Sequence, residues 1–523
     1  MNRALILLLV AAGSSTLFGQ TPCEQLQSLK LPDATITMVT TVPAGPFVNP
    51  APPPAPQPDA IDPPPPTAEG GRGGRGGAPQ TPQMLPAYCR LLATLKPSPD
   101  SDIKIEVWLP LGAAWNGKYE AVGGGGWAGV ISYPALANAV QEGYATSSTD
   151  TGHEGGNAKF AVGHPEKIVD FSYRAVHEMT VKAKDVISAF YGRRPSLSYW
   201  NGCSTGGRQG LMEAQRYPED FDGIVAGAPA NFQTHLHAFD MVLQTAVRQP
   251  GAAVPPAKVA MLGKAILDAC DAADGVKDGL LNNPPRCKFD YGSLLCKGAD
   301  ANDCLTAAQV DSVKKAHGPV KNSKGVIVYP GYAMGGESSW RVLSAANGPA
   351  PTALSQGTYR EVLHQDPNWD WKTFDVDKDV PGADEKYGYI NAVNPDLSAF
   401  KAHGGKLIMY HGWNDTAISP GNSIDYYSNV LGKMGSKQDS WYRLFMVPGM
   451  AHCGNGPGPN QFNYMGAMER WRESNVAPDQ MTASHVANNR VDMTRPLCPY
   501  PQVAIYKGIG STNDAANFSC KVQ

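Results

Sequence analysis

The sequence predicts an α/β fold in which strands and helices alternate around one sheet, with a large insertion. Three observations predict it. From Tyr88 onward, short apolar runs typical of strands alternate with segments of helical periodicity. One strand-to-helix junction carries the pattern G-x-S-x-G. Residues 229–401 then break the alternation with helical pieces, a cysteine-bearing loop and aromatic-rich turns. We therefore expect a core made of residues 87–228 and 402–523, with residues 229–401 as an inserted lid.

The first 86 residues precede this predicted core. Residues 1–19 have a basic start, an apolar run and small polar residues after it, which is the pattern of a secretory signal peptide and too short for a membrane span. Residues 20–42 form an N-terminal segment. Residues 43–86 are rich in proline and glycine, so we expect an exposed, disordered loop. The protein is therefore expected to be secreted or periplasmic.

Composition argues against two classes of partner. The 523 residues carry 44 Lys and Arg against 47 Asp and Glu, a formal charge of −3, which gives no reason to expect a nucleic acid. Arg72 and Arg75 in the glycine run are too few to change this. After the leader, no stretch has the length needed to cross a bilayer, so we expect no membrane partner.

Eight runs share a strand pattern: residues 35–41, 103–109, 119–122, 144–149, 196–200, 224–226, 406–410 and 442–447. Apolar side chains at helical spacing predict a helix over residues 171–191, and a second helix is expected over residues 423–435. The run 119–122 leads directly into four glycines. Several of these strands are followed by polar residues, which places a site at the carboxyl edge of the sheet.

The pattern G-x-S-x-G at residues 202–206 lies between a predicted strand and a predicted helix, the context of a nucleophile elbow. A serine on such a tight turn needs small neighbours, and Gly202 and Gly206 supply that room. The helix that follows directs its N-terminal N–H groups at the hydroxyl, which favours the negative charge of acyl transfer. Ser204 is therefore the predicted nucleophile.

A serine nucleophile needs a histidine base and a carboxylate that orients the base. Asp415 follows the strand at residues 406–410, and His452 follows the strand at residues 442–447. The chain order serine, acid, histidine is that of α/β-hydrolases. We predict Ser204, Asp415 and His452 as a catalytic triad, with Asp425 as the alternative acid and a surface-loop histidine as the alternative for His452.

The ten cysteines, an even number, indicate five disulfides formed in an oxidising compartment. Zinc binding is disfavoured because no C-x-x-C pair occurs. A bond between Cys203 and Cys453 would pin the loops of the nucleophile and the base together, although these residues could also be unpaired or pair elsewhere. Local spacing favours three other pairs: Cys270–Cys287, Cys296–Cys304 and Cys498–Cys520. If Cys23 pairs with Cys89, that bond ties the proline- and glycine-rich loop at its base.

Cys203-Ser204, Asp415 and His452-Cys453 together resemble the CS-D-HC signature of the tannase and feruloyl esterase family of exported serine esterases. The segments GCSTGGRQ, HGWND and PGMAHC carry the resemblance, which runs from about Cys89 to the C-terminus. It implies an α/β-hydrolase core with a large lid, the Cys203–Cys453 bridge and the local disulfides. Members that hydrolyse mono-hydroxyethyl terephthalate have Glu after the nucleophile, where this chain has Thr205.

The oxyanion hole needs two backbone N–H groups. Thr205, which follows the nucleophile, is predicted to supply one. The resemblance implies that Gly125 or Gly126 supplies the other, with a plain tight turn as the alternative. It also implies that His411 lines the acyl-side pocket, whereas from the sequence alone His411 could simply pack its loop.

A loop in the lid is a candidate calcium site. Residues 271–280 place three carboxylates along a glycine-rich loop, and such oxygen ligands suit Ca²⁺. The spacing is not that of an EF-hand, and composition alone would favour a solvated turn. The resemblance implies a structural Ca²⁺ held by three carboxylates and two backbone carbonyls: Asp271, Asp274 and Asp278, with Val276 and Leu280.

These features predict a secreted serine hydrolase of small aromatic carboxylic esters. Feruloyl (hydroxycinnamoyl) esters are the first choice, galloyl esters the second and an aromatic diacid monoester such as mono-hydroxyethyl terephthalate the third. The alternatives are a peptidase, which turnover of amide analogues would reveal, and a non-catalytic secreted binding protein, which a burst of acyl-enzyme would exclude.

Overall fold

The computed structural model describes residues 20–50, 82–127, 129–340, 343 and 350–523. The expected signal peptide and residues 51–81 of the proline- and glycine-rich loop lie outside the described residues. The two described ends of that loop are ordered, contrary to the prediction, because residues 45–46 pair with residues 84–85 and Leu85 is buried. Across the described ranges, no helix combines the length and the apolar character that a membrane span requires.

The strands of the described chain are β1 (Ala34–Val42), β2 (Gly45–Pro46), β3 (Met84–Leu85), β4 (Tyr88–Leu95), β5 (Ile103–Pro110), β6 (Tyr119–Val122), β7 (Ala145–Thr149), β8 (Ser198–Cys203), β9 (Gly223–Gly227), β10 (Val320–Lys321), β11 (Ile327–Tyr329), β12 (Lys406–Gly412), β13 (Tyr442–Val447), β14 (Met481–Ala487), β15 (Arg490–Leu497), β16 (Gln502–Tyr506) and β17 (Phe518–Val522).

Its α-helices are α1 (Tyr133–Gln141), α2 (Pro165–Val169), α3 (Ala175–Tyr191), α4 (Thr205–Arg216), α5 (Gln233–Ala246), α6 (Pro256–Cys270), α7 (Ala307–His317), α8 (Ala353–Gly357), α9 (Val376–Tyr387), α10 (Ser398–Ala402), α11 (Pro420–Met434) and α12 (Tyr464–Ser474).

A nine-stranded sheet in the order β1-β4-β5-β7-β6-β8-β9-β12-β13 forms the centre of the molecule. Its first four strands pair antiparallel, and every pair from β7 to β13 is parallel. Helices α1, α3, α4 and α11 connect consecutive parallel strands. This mostly parallel sheet with helical connections confirms the predicted α/β-hydrolase fold, and it brings the carboxyl ends of β6, β8, β12 and β13 to one edge.

The main hydrophobic core lies between this sheet and the helices on one of its faces. Met179 and Val186 of α3 pack in one buried cluster with Leu211 of α4 and Trp200 of β8. Each such side chain contributes roughly 1.5–3 kcal/mol on full burial. The packing fixes α4, and with it the turn that carries Ser204.

The chain between β9 and β12 carries helices α5 to α10 and the hairpin of β10 and β11. This insertion has a buried cluster of its own, which includes Phe239, Leu262, Val313 and Tyr329. It therefore has the apolar interior that a lid needs to hold its shape over the edge of the sheet.

Five disulfides are present: Cys23–Cys89, Cys203–Cys453, Cys270–Cys287, Cys296–Cys304 and Cys498–Cys520. The three local pairs that spacing favoured are confirmed, the Cys203–Cys453 and Cys23–Cys89 bonds are both formed, and all ten cysteines are used. The Cys203–Cys453 bond links β8 to the loop after β13 across 250 residues of sequence.

Candidate active site

Ser204 lies at the turn between β8 and α4 and has the left-handed backbone angle φ 62°. This conformation is unfavourable for a residue with a side chain, so the surrounding structure must hold it. Its N–H donates to the carbonyl of Gly227 at 2.9 Å. A Cβ at Gly202 would come within 2.6 Å of the carbonyl carbon of Gly206, so the elbow closes only with glycine at position 202.

Asp415 and His452 lie on the loops that follow the neighbouring parallel strands β12 and β13. His452 Nδ1 is 2.7 Å from Asp415 Oδ2, so Nδ1–H donates to the carboxylate. The other oxygen, Oδ1, accepts the backbone N–H groups of Ala417 at 2.8 Å and Ile418 at 2.9 Å. These bonds orient the carboxylate and leave the Nε2 edge of His452 facing away from it, as a general base requires.

The Asp415 carboxyl is fully buried, and burial alone would raise its pKa. The imidazole of His452 and the hydrogen bonds from His411 and His452 outweigh burial and hold this pKa well below its usual value. Asp415 is therefore ionised at any pH near neutrality and can stabilise an imidazolium at His452.

His411, on β12, is completely buried beside this pair. Its Nε2 lies 3.1 Å from Asp415 Oδ2 and 3.0 Å from the carbonyl of Ile418, and its Nδ1 lies 2.7 Å from Ser423 Oγ. Both nearby oxygens require Nε2 to carry the proton, so Ser423 donates to Nδ1. Through these contacts His411 helps to hold the Asp415 carboxylate in place. The expectation that His411 lines the acyl-side pocket stays a prediction that these contacts do not support.

The disulfide Cys203–Cys453 joins the residue before Ser204 to the residue after His452, with a Cα–Cα distance of 6.0 Å. The structure thus brings the elbow and the histidine loop together, and the Asp415–His452 hydrogen bond adds the third loop. The three predicted triad residues lie in one corner of the sheet edge.

The glycine segment after β6 packs against the first turn of α4. Gly206 N–H donates to the carbonyl of Gly124 at 2.8 Å, and the hydroxyl of Thr205 donates to the carbonyl of Gly126 at 2.7 Å. Gly124 N–H donates to Gln209 Oε1 at 3.1 Å. The predicted oxyanion donors, Thr205 with Gly125 or Gly126, are therefore held side by side next to Ser204.

Trp127 is a site residue whose role the sequence did not reveal. It follows the glycine segment, is buried, and donates its Nε1–H to the carbonyl of Leu354 in the lid at 2.9 Å. Its ring packs on Phe171, with the ring centroids 4.9 Å apart. Trp127 therefore couples the segment that holds Gly125 and Gly126 to the lid. In the sequence, the position of Trp127 directly after the four glycines is the feature that could have indicated this role.

The predicted calcium loop follows α6 in the lid. Asp271 accepts the backbone N–H of Gly279 at 3.0 Å, Asp274 accepts that of Val276 at 3.0 Å, and Asp278 accepts that of Leu280 at 3.1 Å. Burial, with the nearby carboxylates of Asp278 and Asp271, raises the pKa of Asp274 to about 6.

Two further groups complete the surroundings of this loop. Arg495 forms an ion pair with Asp278 at 2.5 Å. Asn282 donates to Asp274 at 2.7 Å, while its buried Oδ1 has no hydrogen-bond partner among the described residues. Crowded carboxylates and an unpaired amide oxygen form a donor set that a hard cation fits.

Residues 89–521 match the family described as tannase and feruloyl esterase. The chain is 35% identical to an uncharacterized esterase of Xanthomonas campestris pv. campestris over 573 aligned positions, which cover 99% of this chain and 94% of that protein. It is 35% identical to a probable feruloyl esterase B-2 of Aspergillus terreus, covering 83% of this chain and 86% of that protein.

The crystal structure of feruloyl esterase B from Aspergillus oryzae superposes with a TM-score of 0.84 at 32% identity, covering 95% of this chain and 99% of that one. Tannin acyl hydrolase from Aspergillus niger has the same fold, with a TM-score of 0.73 at 23% identity, covering 95% of this chain and 93% of that one. With most of its length matched, the chain belongs to the tannase and feruloyl esterase family and is a carboxylic ester hydrolase.

Proposed function

We propose that this enzyme hydrolyses feruloyl (hydroxycinnamoyl) esters through an acyl-enzyme on Ser204. The observation that carries the mechanism is the 2.7 Å hydrogen bond between His452 and Asp415, on a loop that a disulfide ties to the Ser204 elbow. The relatives named feruloyl esterase B support the choice of acyl group.

In the acylation half of the reaction, Ser204 Oγ attacks the ester carbonyl carbon and its proton passes to His452 Nε2. The carbonyl oxygen takes the electron pair and is stabilised by the N–H of Thr205 and that of Gly125 or Gly126. Asp415 stabilises the imidazolium. The C–O bond to the alcohol then breaks, and His452 returns the proton to the departing alcohol oxygen.

Deacylation repeats these steps with water as the nucleophile. His452 Nε2 accepts a proton from water as the water oxygen attacks the acyl carbon, and the same two N–H groups hold the oxyanion. The bond to Ser204 Oγ breaks, and the serine regains its proton from His452. The products are the aromatic acid and an enzyme ready for another cycle.

Galloyl esters and mono-hydroxyethyl terephthalate are the alternative substrates. Thr205 occupies the position that is Glu in the terephthalate-monomer enzymes, and here its hydroxyl is engaged by the carbonyl of Gly126. This departure favours the feruloyl assignment over the terephthalate monoester.

The test compares the wild-type enzyme with Ser204→Ala on methyl ferulate, methyl gallate and mono-hydroxyethyl terephthalate. Methyl ferulate should turn over fastest, and the variant should lose several orders of magnitude in kcat. Ser188→Ala, a part-buried serine of α3, is the matched control. Preferred turnover of another ester would refute the feruloyl assignment, and undiminished turnover by Ser204→Ala would refute the mechanism.

We also propose a structural Ca²⁺ in the lid loop, held by the side chains of Asp271, Asp274 and Asp278 and by two backbone carbonyls, those of Val276 and Leu280. The mutual repulsion of the carboxylates and the unpaired oxygen of Asn282 support it. On binding, the carboxylates would exchange some of their hydrogen bonds to loop N–H groups for the ion.

We propose that the protein works outside the cytoplasm, secreted or in a periplasm. Five disulfides, one of them at the catalytic corner, support this location because such bonds persist in oxidising compartments.

A further inference from the structure

A second cluster of ionisable side chains lies outside the site described above. It contains His177 of α3, Glu213 of α4 and Asp220 of the loop after α4. One ligand atom from each side chain lies within 4.8 Å of the other two. Since α4 begins directly after Ser204, this cluster lies on the elbow helix but has no part in the proposed chemistry.

Glu213 is the unusual member of this cluster. Its side chain is 1% exposed, and neither carboxylate oxygen has a hydrogen-bond partner among the described residues. Burying an ionised carboxylate without a partner is unfavourable, and repulsion from a second carboxylate beside it raises the free energy of keeping both groups ionised. The cluster therefore requires a cation or a proton.

Neighbouring donors are engaged elsewhere. Lys184 Nζ donates to the backbone carbonyl of Asp220 at 2.5 Å, not to a carboxylate. The hydroxyl of Thr180 donates to the carbonyl of Val176 at 2.8 Å. Tyr119 Oη pairs with the hydroxyl of Ser147 at 2.6 Å. None of these three groups donates a hydrogen bond to Glu213, and the nearby Lys184 ammonium acts on the Glu213 carboxylate only through its charge.

His177 is already oriented as a ligand. Its ring stacks on Tyr217 with centroids 3.7 Å apart and an interplanar angle of 8°, and its Nδ1 lies 2.6 Å from Asp220 Oδ2. The side chain of His177 is 28% exposed and that of Asp220 is 12% exposed. The cluster thus has a buried floor, formed by Glu213, and an open side through which an ion and its water can enter.

We propose that His177, Glu213 and Asp220 bind a divalent transition-metal ion of the Zn²⁺ class. One imidazole nitrogen and two carboxylate oxygens, with water in the fourth position, form a ligand set that suits Zn²⁺. Ca²⁺ and Mg²⁺ prefer oxygen ligands alone. The ion would tie α3 to the last turns of the elbow helix and to the loop after it, so its role is structural.

The competing explanation is a proton shared between Glu213 and Asp220. The variant Glu213→Gln distinguishes a shared proton from a bound metal ion, because glutamine mimics the protonated acid in shape but is a poor metal ligand. A shared proton predicts that Glu213→Gln is as stable as the wild type and that added Zn²⁺ affects the two proteins equally. A metal site predicts that the Zn²⁺ response is lost.

The experiment is a calorimetric titration of the chelator-treated, full-length protein with ZnCl₂ in buffer containing millimolar Ca²⁺, which occupies any oxygen-only site. The wild type should bind one equivalent. Loss of a ligand should weaken Kd more than about tenfold in His177→Ala and in Glu213→Gln, since even outer-shell changes cost that much. Titration with Co²⁺ should give visible absorption bands that both variants lack.

The matched control is His485→Ala, which removes a partly exposed histidine paired with Asp492 at 2.7 Å on the hairpin of β14 and β15. It should bind Zn²⁺ like the wild type. If His177→Ala does not fold, His177→Gln replaces it. The proposal is overturned if the wild type binds no equivalent, if binding survives both variants, or if it depends on His485 instead.

Discussion

At the scale of single residues, four hydrogen-bonding contacts hold the carboxylate of Asp415. Two backbone N–H groups bind one oxygen, and the imidazoles of His452 and His411 contact the other. This arrangement keeps the carboxylate ionised and fixes the tautomer of His452.

Asp415→Asn should therefore lower kcat by about 10³–10⁴, because an amide in this position favours the wrong tautomer of the base. The measurement is steady-state kinetics on methyl ferulate. Asp425→Asn, a change to the exposed acid of α11 that was the alternative from sequence, is the control and should retain activity. If instead Asp425→Asn lost activity and Asp415→Asn retained it, the acid of the triad would be Asp425.

His411→Ala should act through Asp415. Removing one hydrogen bond to a buried carboxylate is worth roughly 1.5–3 kcal/mol, which corresponds to a loss in kcat of about tenfold to a hundredfold. KM should change little and equally for different acyl groups. A rise in KM that depends on the acyl group, with kcat unchanged, would show instead that His411 contacts substrate, as the family resemblance implies.

The sequence predicts the candidate triad, but it does not reveal which residues hold the triad in place. Ser204, Asp415 and His452 are recognisable because each follows a strand and has a specific flanking pattern. Ser423 and Trp127 contribute through contacts with residues distant in the chain, Ser423 to His411 and Trp127 to the lid. Such contacts depend on tertiary packing and leave no local pattern to find.

At the scale of elements, the strand–turn–helix unit of β8 and α4 is secured by the Cys203–Cys453 disulfide. In the chain-entropy model, closing a loop of 250 residues stabilises the fold by about 5 kcal/mol, against about 2.5 kcal/mol for the eight-residue separation of Cys296 and Cys304. Of these two bonds, only Cys203–Cys453 joins the loops of the proposed nucleophile and base.

Replacing Cys203 and Cys453 together by serine should therefore lower both the melting temperature and kcat. The same double change at Cys296 and Cys304 should lower the melting temperature less and leave kcat nearly unchanged. Thermal unfolding and kinetics of the two double variants measure this. Equal kcat values in both would show that the long-range bond does not position the active site.

Strand prediction succeeded where a short apolar run sits inside the parallel sheet, as at β6 and β13, whose bounds match the predicted runs. It missed β4, the four strands β14 to β17 and the short strands β2, β3, β10 and β11. The run that becomes β4 contains several apolar residues in succession, which periodicity alone does not separate from a helix. The later strands form two-stranded hairpins, and in β15 and β17 burial changes from one end of the strand to the other instead of alternating, so the period-2 pattern of a strand is missing.

At the scale of the whole molecule, the lid is the part whose interior depends on more than hydrophobic packing. Two disulfides and the proposed calcium loop lie within it. The sequence indicated where the alternation of strand and helix stops, which marks the insertion. It could not indicate how the lid meets the core, because contacts such as that of Trp127 with Leu354 join segments more than 200 residues apart.

Removing calcium should therefore destabilise the lid. Chelation should lower the melting temperature of the wild type, and Ca²⁺ should restore it where Mg²⁺ does not. Asp274→Asn should abolish the response, while Asp268→Asn, which changes an exposed acid paired with Lys264, should keep it. A melting temperature insensitive to chelation and to Ca²⁺ would contradict the proposed ion.

The most direct measurement of the central claim is covalent labelling with an aromatic phosphonate ester, followed by peptide mass mapping. Ser204 Oγ should displace the leaving group from phosphorus, giving one phosphonyl group per chain on the peptide that contains Ser204. Activity on methyl ferulate should fall in proportion to labelling, and His452→Ala should label far more slowly. Loss of activity with the label on another residue, or full activity with Ser204 labelled, would contradict the account.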